Sequence, residues 1–115
     1  MGNISVVGKP VTLTDLTATI NTINDNTIVA APGAGLRIVV HELTIQQASA
    51  TATTIIVKSG TTSKRTIPCL SQIDGFCFAP ESGKEMRCGA NEALILNLSV
   101  AQNVTYTLRY TVEAA

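Results

Sequence analysis

Ala31-Pro32-Gly33-Ala34-Gly35 runs directly into Leu36-Arg37-Ile38-Val39-Val40-His41-Glu42-Leu43-Thr44-Ile45, and this stretch decides the fold. A turn built from Pro and two Gly empties into a β-branched, apolar run, and such a run bounded by turn residues is a strand lying inside a sheet rather than at its rim. The chain on either side should supply its pairing partners.

Downstream, Thr53, Ile55 and Val57 alternate with Thr54, Ile56 and Lys58, and Ser59-Gly60-Thr61-Thr62-Ser63 turns the chain. Lys64 to Leu70 is a weaker strand, because Pro68 has no N–H for a ladder and confines it to an edge or a bulge. Ile73 to Phe78 and Glu85 to Cys88 are short extended pieces, with Gly89-Ala90-Asn91-Glu92 turning back. The last two runs are the cleanest. Leu94, Leu96, Leu98 and Val100 alternate with Ile95, Asn97 and Ser99; Tyr106, Leu108, Tyr110 and Val112 alternate with Thr105, Thr107, Arg109, Thr111 and Glu113. Strict period two means one buried face and one wet or interface face.

Upstream, Thr27 to Ala30 is a short strand preceded by an Asn24-Asp25-Asn26 turn. In Val11 to Ile23 two periods compete. Leu13, Leu16, Ile20 and Ile23 fall at helical spacing, yet the density of Thr, with its branched Cβ, favours extended chain. The expectation is an all-β, single-domain β-sandwich or jelly roll of about eight or nine short antiparallel strands. Residues 1–25 are expected to form an extended N-terminal arm and 26–115 the sandwich.

The bulk numbers bound the function. At 115 residues the chain is one domain, able to bury roughly two-thirds of its unfolded surface. Eight positive and eight negative side chains cancel, so no net field steers the protein to nucleic acid or to an anionic membrane. Only 14% of the residues are charged, against roughly a quarter in ordinary soluble domains, so part of the surface is expected to be covered by a partner or by other copies. No apolar run approaches the roughly 18 residues of a membrane span, and Met1 to Ser5 lacks the basic and apolar regions of a secretory leader, which points to synthesis in a cytoplasm.

Chemistry-bearing patterns are sparse. Cys69, Cys77 and Cys88 form no C-x-x-C pair, and only the distant His41 could complete a zinc set, so neither a metal nor a cofactor is expected. Cys69 and Cys77 flank what reads as a hairpin and could pair under oxidising conditions. His41 is the only histidine, and strand alternation puts Glu42 on the opposite face, so Glu42 cannot orient it for nucleophilic catalysis. The acidic residues are scattered, most of them in loops. Gly33-Ala34-Gly35 precedes a strand, whereas phosphate-binding glycine loops follow a strand and open a helix. Lys64-Arg65 lacks the stacking aromatics of a nucleic-acid groove.

Taken together, Ala30 to Val40, Ala50 to Thr62, Asn91 to Ser99 and Val104 to Tyr110 resemble small virion proteins of tailed bacteriophages. In those, a Gly turn opens an R-I-V-V type strand, a K-S-G-T-T hairpin comes midway, and a G-x-x-E-A-L-x-L-x-L-S strand precedes a closing Tyr-rich strand. This chain departs from them around its three cysteines. The resemblance implies a jelly-roll or β-sandwich decoration, cement or head-fibre component with no enzymatic activity. It implies a homotrimer seated on the major capsid protein at the exterior of the head. Asn3, Ile4, Val6, Val7, Leu13 and Leu16 are then the residues expected to contact the shell or a neighbouring subunit. The alternative it leaves open is a head- or tail-fibre domain binding a host-cell glycan or receptor.

Overall fold

The computed structural model describes residues 13–47, 51–69, 75–81 and 83–115. Among them are nine strands and no helix: β1 (Thr14–Ile20), β2 (Asn24–Val29), β3 (Leu36–Gln47), β4 (Thr53–Ser59), β5 (Thr62–Cys69), β6 (Gly75–Phe78), β7 (Met86–Arg87), β8 (Leu94–Leu98) and β9 (Val104–Ala114). All pairings are antiparallel, and they sort into two sheets, β1-β9-β3-β6 with β7 also on β3, and β2-β8-β4-β5.

The core lies between the layers, because each strand turns alternate side chains to the facing sheet. Ile55 and Val57 of β4 and Leu94, Leu96 and Leu98 of β8 are fully buried, as are Val104 and Leu108 of β9. Burying one such side chain contributes about 1.5–3 kcal/mol, so these alternating runs carry the fold. The opening stretch does lie inside its sheet, since β3 has β9 on one side and β6 and β7 on the other.

Two local readings change. β3 is not a single alternating strand: its register against β9 slips between Val40 and Glu42, leaving His41 as the extra residue of a β-bulge. Ile38 and Val40 enter the core before the bulge, Leu43 and Ile45 after it. His41 and Glu42 consequently share the outer face, His41 meeting Thr111 and Glu42 approaching Arg109, which are alternate residues of β9. Second, Cys69 and Cys77 do not flank a hairpin. Cys69 ends β5 in one sheet and Cys77 lies in β6 of the other. Pro68 does sit in an edge strand, as its missing N–H requires.

Thr14–Ile20 is extended, and it is a member of the first sheet, in register with β9 along its whole length from Thr14↔Tyr110 to Ile20↔Val104. Leu16, Ala18 and Ile20 pack against the core, while Leu13 and Ile23, the outer members of the helix-like spacing, are 49% and 47% exposed. Residues 1–12 of the expected arm lie outside the described residues.

Candidate functional site

Among the described residues, chemistry-bearing side chains gather on the outer face of the first sheet and at one end of the sandwich where three turns meet, and a smaller group, Asp25 with Lys58 and Asn97, lies on the second sheet.

On the outer face, strand register lines polar residues into rows. Thr17, Thr107, Thr44 and Cys77 stand opposite one another across β1, β9, β3 and β6. Thr17 donates to Thr107 at 3.3 Å, the Thr19 and Thr105 hydroxyls lie 3.1 Å apart, and Thr44 donates to the Cys77 sulfur at 3.7 Å. The next row is charged, with Arg109 donating to Asp15 at 2.9 Å and lying 3.8 Å from Glu42; the Asp15 carboxylate raises the Arg109 pKa. Hydroxyls of this kind can pair with each other, with water or with another surface at small desolvation cost.

Toward the far end of β3 and β9 the same face carries a longer chain of polar contacts. Arg37 donates to Glu113 at 2.7 Å, Arg87 donates to the same carboxylate oxygen at 3.3 Å, and Arg87 lies 3.6 Å from Glu85. Glu85 in turn accepts from the Gly83 N–H at 3.0 Å and lies 4.0 Å from His41, whose other ring nitrogen is 2.9 Å from the Thr111 hydroxyl. The Arg37 and Arg87 hydrogen bonds hold Glu113 below the usual carboxylate range, and backbone N–H donors, its own and that of Gly83, do the same for Glu85. Hydroxyl, imidazole and carboxylate in sequence is the order of a nucleophilic relay. Here, however, Thr111 is only 4% exposed and the carboxylate is already committed to Gly83 and Arg87. The arrangement fastens the 83–87 segment to the sheet beside Val39, which its register partners Thr111 and Arg87 mark as outward-facing yet which is 1% exposed.

At the end of the sandwich, the Pro-Gly turn, the Ser59-Gly60 turn and the 89–92 turn interlock. Asn91, held at φ +53°, donates its N–H to Leu36 at 2.7 Å and accepts from the Gly33 N–H on its side chain at 3.0 Å. Gly60 donates to Ala93 at 2.9 Å. The fully buried Ser59 hydroxyl donates to Glu92 at 2.6 Å and accepts from the Gly89 N–H at 2.8 Å. Glu92 lies so close over two glycines that a Cβ at Gly60 would stand 3.1 Å from its carboxyl carbon, and one at Gly89 would overlap the carboxylate. A side chain at either glycine would push the Glu92 carboxylate aside, and at Gly60 φ +57° also strains any other residue. Cys88, whose N–H donates to Ile38 at 2.9 Å, is buried beneath, and burial pushes its thiol pKa up, as suits an unreactive side chain.

Of the residues expected to make contacts, Leu13 stands exposed just before β1 and Leu16 faces inward onto the core, half-buried. Asn3, Ile4, Val6 and Val7 lie outside the described residues. The ties of Asn91 and Glu92 escaped the sequence reading because Gly89-Ala90-Asn91-Glu92 looks like a solvated turn, and their partners Gly33, Leu36 and Ser59 lie more than thirty residues away in the chain. No group of three or more metal-ligating side chains gathers among the described residues, and no helix there is long and apolar enough to cross a membrane. Comparison with known protein families, curated proteins and solved structures finds no match for this chain.

Proposed function

We propose that this chain is a virion structural protein without enzymatic activity, a cement or decoration protein that binds the major capsid protein on the outer surface of a tailed-phage head and stabilises the shell. One observation carries the reading. Three of the four stretches through which the sequence resembles small phage virion proteins are far apart in the chain, yet their turns meet at one end of the sandwich, where Asn91, Glu92, Ser59, Gly60 and Gly33 are hydrogen-bonded into a unit. Motifs that depend on one another in space support a shared fold better than motifs that merely occur together.

The strand pairing supports the jelly-roll form of that fold. β1 with β9, β2 with β8, β3 with β6 and β4 with β5 are nested pairs of one long rolled-up ribbon, and β9 then also pairs β3 and β8 also pairs β4. The hydroxyl-lined outer face suits a protein that spends its working life against other subunits. Co-sedimentation of the purified protein with empty shells, and heating of particles assembled with and without it, tests the reading. Binding and a higher opening temperature are expected. No binding and an unchanged opening temperature overturn it, and binding to host cells in place of shells turns it into the fibre reading.

A further inference from the structure

Among the described residues, each sheet ends in strands whose outward N–H and C=O groups have no ladder partner, and such edges invite pairing with another chain unless something blocks it. Three of the edges here carry a block. β5 has Lys64, Arg65 and Pro68 and a register shift against β4, and Arg65 lies over the Phe78 ring of β6, 5.0 Å from its centroid. β2 begins at Asn24 in the left-handed region, shifts register between Thr27 and Val29, and has the Asn26 amide donating to the Thr22 and Asn24 carbonyls. β6 and β7 are only four and two residues long. β1 differs from all of them. Its seven residues hold an unbroken register and contain no Pro, Gly, Lys or Arg, and among the described residues it hydrogen-bonds to β9 alone.

We propose that the free edge of β1 pairs antiparallel with β1 of a second copy, joining the two first sheets into one continuous sheet across a two-fold axis. Such an axis perpendicular to the sheet keeps each outer face outermost, so a residue must stand opposite one of the same parity. Centring it on Thr17, the middle of Thr14–Ile20, places Leu16 opposite Ala18 and Thr14 opposite Ile20 on the inner face. Asp15 then stands opposite Thr19 on the outer face. The strand's one charge therefore meets a hydroxyl rather than its own copy, and it already has Arg109 of its own chain beside it. The apolar side chains of β1 that the facing sheet leaves half-buried gain neighbours of the same kind. The Thr17–Thr107 row continues into its symmetry mate. A two-fold seam departs from the threefold assembly that the phage resemblance implies, and it stands independently of shell binding, which is a separate measurement.

The test is the mass of the purified full chain by sedimentation over a wide concentration range, with Thr17→Glu and Thr44→Glu variants. Both substitutions put the same charge at an exposed position of the same sheet face. Only Thr17→Glu sets two carboxylates opposite each other at the seam and diagonal to the partner copy's Asp15, so it should raise the dimer dissociation constant by about tenfold or more while Thr44→Glu leaves it unchanged. In a Cys77→Ser background, Thr17→Cys should form a disulfide-linked dimer on mild oxidation, because directly opposed residues of antiparallel strands lie within disulfide reach. A two-chain mass lost in Thr17→Glu, with the cross-link, supports the proposal. A one-chain mass at all concentrations, the result expected if residues 1–12 of the same chain cover the edge, overturns it. So does a three-chain mass, or a dimer that Thr17→Glu does not weaken.

Discussion

The interlocked end of the sandwich and the outer face of its first sheet draw on the same kinds of polar side chain, yet they use them in opposite ways. At the end, Ser59, Asn91 and Glu92 each bond a segment distant in sequence, and the Ser59 hydroxyl is fully buried. On the face, Thr17, Thr19, Thr105 and Thr107 bond only their register neighbours, in reach of water. A hydroxyl that can fall back on solvent contributes little net stability, whereas one that cannot costs the full desolvation of whatever is left unpaired. The same chemistry is therefore structural at one place and available for contact at the other.

Five measurements would break or sharpen that contrast. The largest effect is expected from Glu92→Ala, which leaves the buried Ser59 hydroxyl without its acceptor and should cost about 1–3 kcal/mol in urea unfolding; a loss below the noise would mean the end is not tied. Gly89→Ala should cost about 1 kcal/mol through overlap with the same carboxylate, near the lower end of overpacking penalties because a side chain can shift. In the double variant the overlap disappears, so the two losses should fall short of additivity by about 0.5 kcal/mol or more.

Acid probes the salt bridges at the surface. Asp25, bonded by Asn97 and Lys58, titrates below its ordinary value, as do Glu113 and Glu85. A depressed folded pKa gives stability that is present above the unfolded value, about 4, and is lost as pH falls through the folded value. The urea midpoint should be flat near neutrality and decline below about pH 4, modestly because exposed pairs are screened. A midpoint unchanged down to strong acid would show that the ion pairs contribute nothing. The smallest effect is expected from Thr105→Val, within about 0.5 kcal/mol of the parent; a larger loss would mean the face is structural after all.

How much of this was legible in the sequence varies with the interaction. Leu94, Leu96 and Leu98, and Val104, Tyr106 and Leu108, alternate without interruption, and their burial follows. In β3 the alternation is hidden, because Val39 lies on the outer side of the sheet and yet is buried, so an apolar residue stands where alternation would put a polar one. The paired spacing of Leu13 with Leu16, and of Ile20 with Ile23, suggested a helix period only because two of the four lie beyond the strand ends. The ties of Asn91 and Glu92 were illegible for another reason: they are contacts between turns, and nothing local to either turn announces the other. The buried pair in which Gln102 donates to Gln47 at 2.8 Å was missed likewise.

The bulge at His41 has a consequence for what changes the gene can tolerate. It acts as a phase shifter in a twelve-residue strand. With that one codon lost, Val40 would be followed by Glu42 facing out and Leu43 facing in, so β3 would alternate without a break, its register with β9 would run on unshifted, and Leu43, Ile45 and Gln47 would stay in the interior. A residue lost or gained at any position from Leu43 to Ile45 would instead throw the rest of the strand out of phase, whereas the loss of His41 removes one bond to Thr111 and a distant carboxylate.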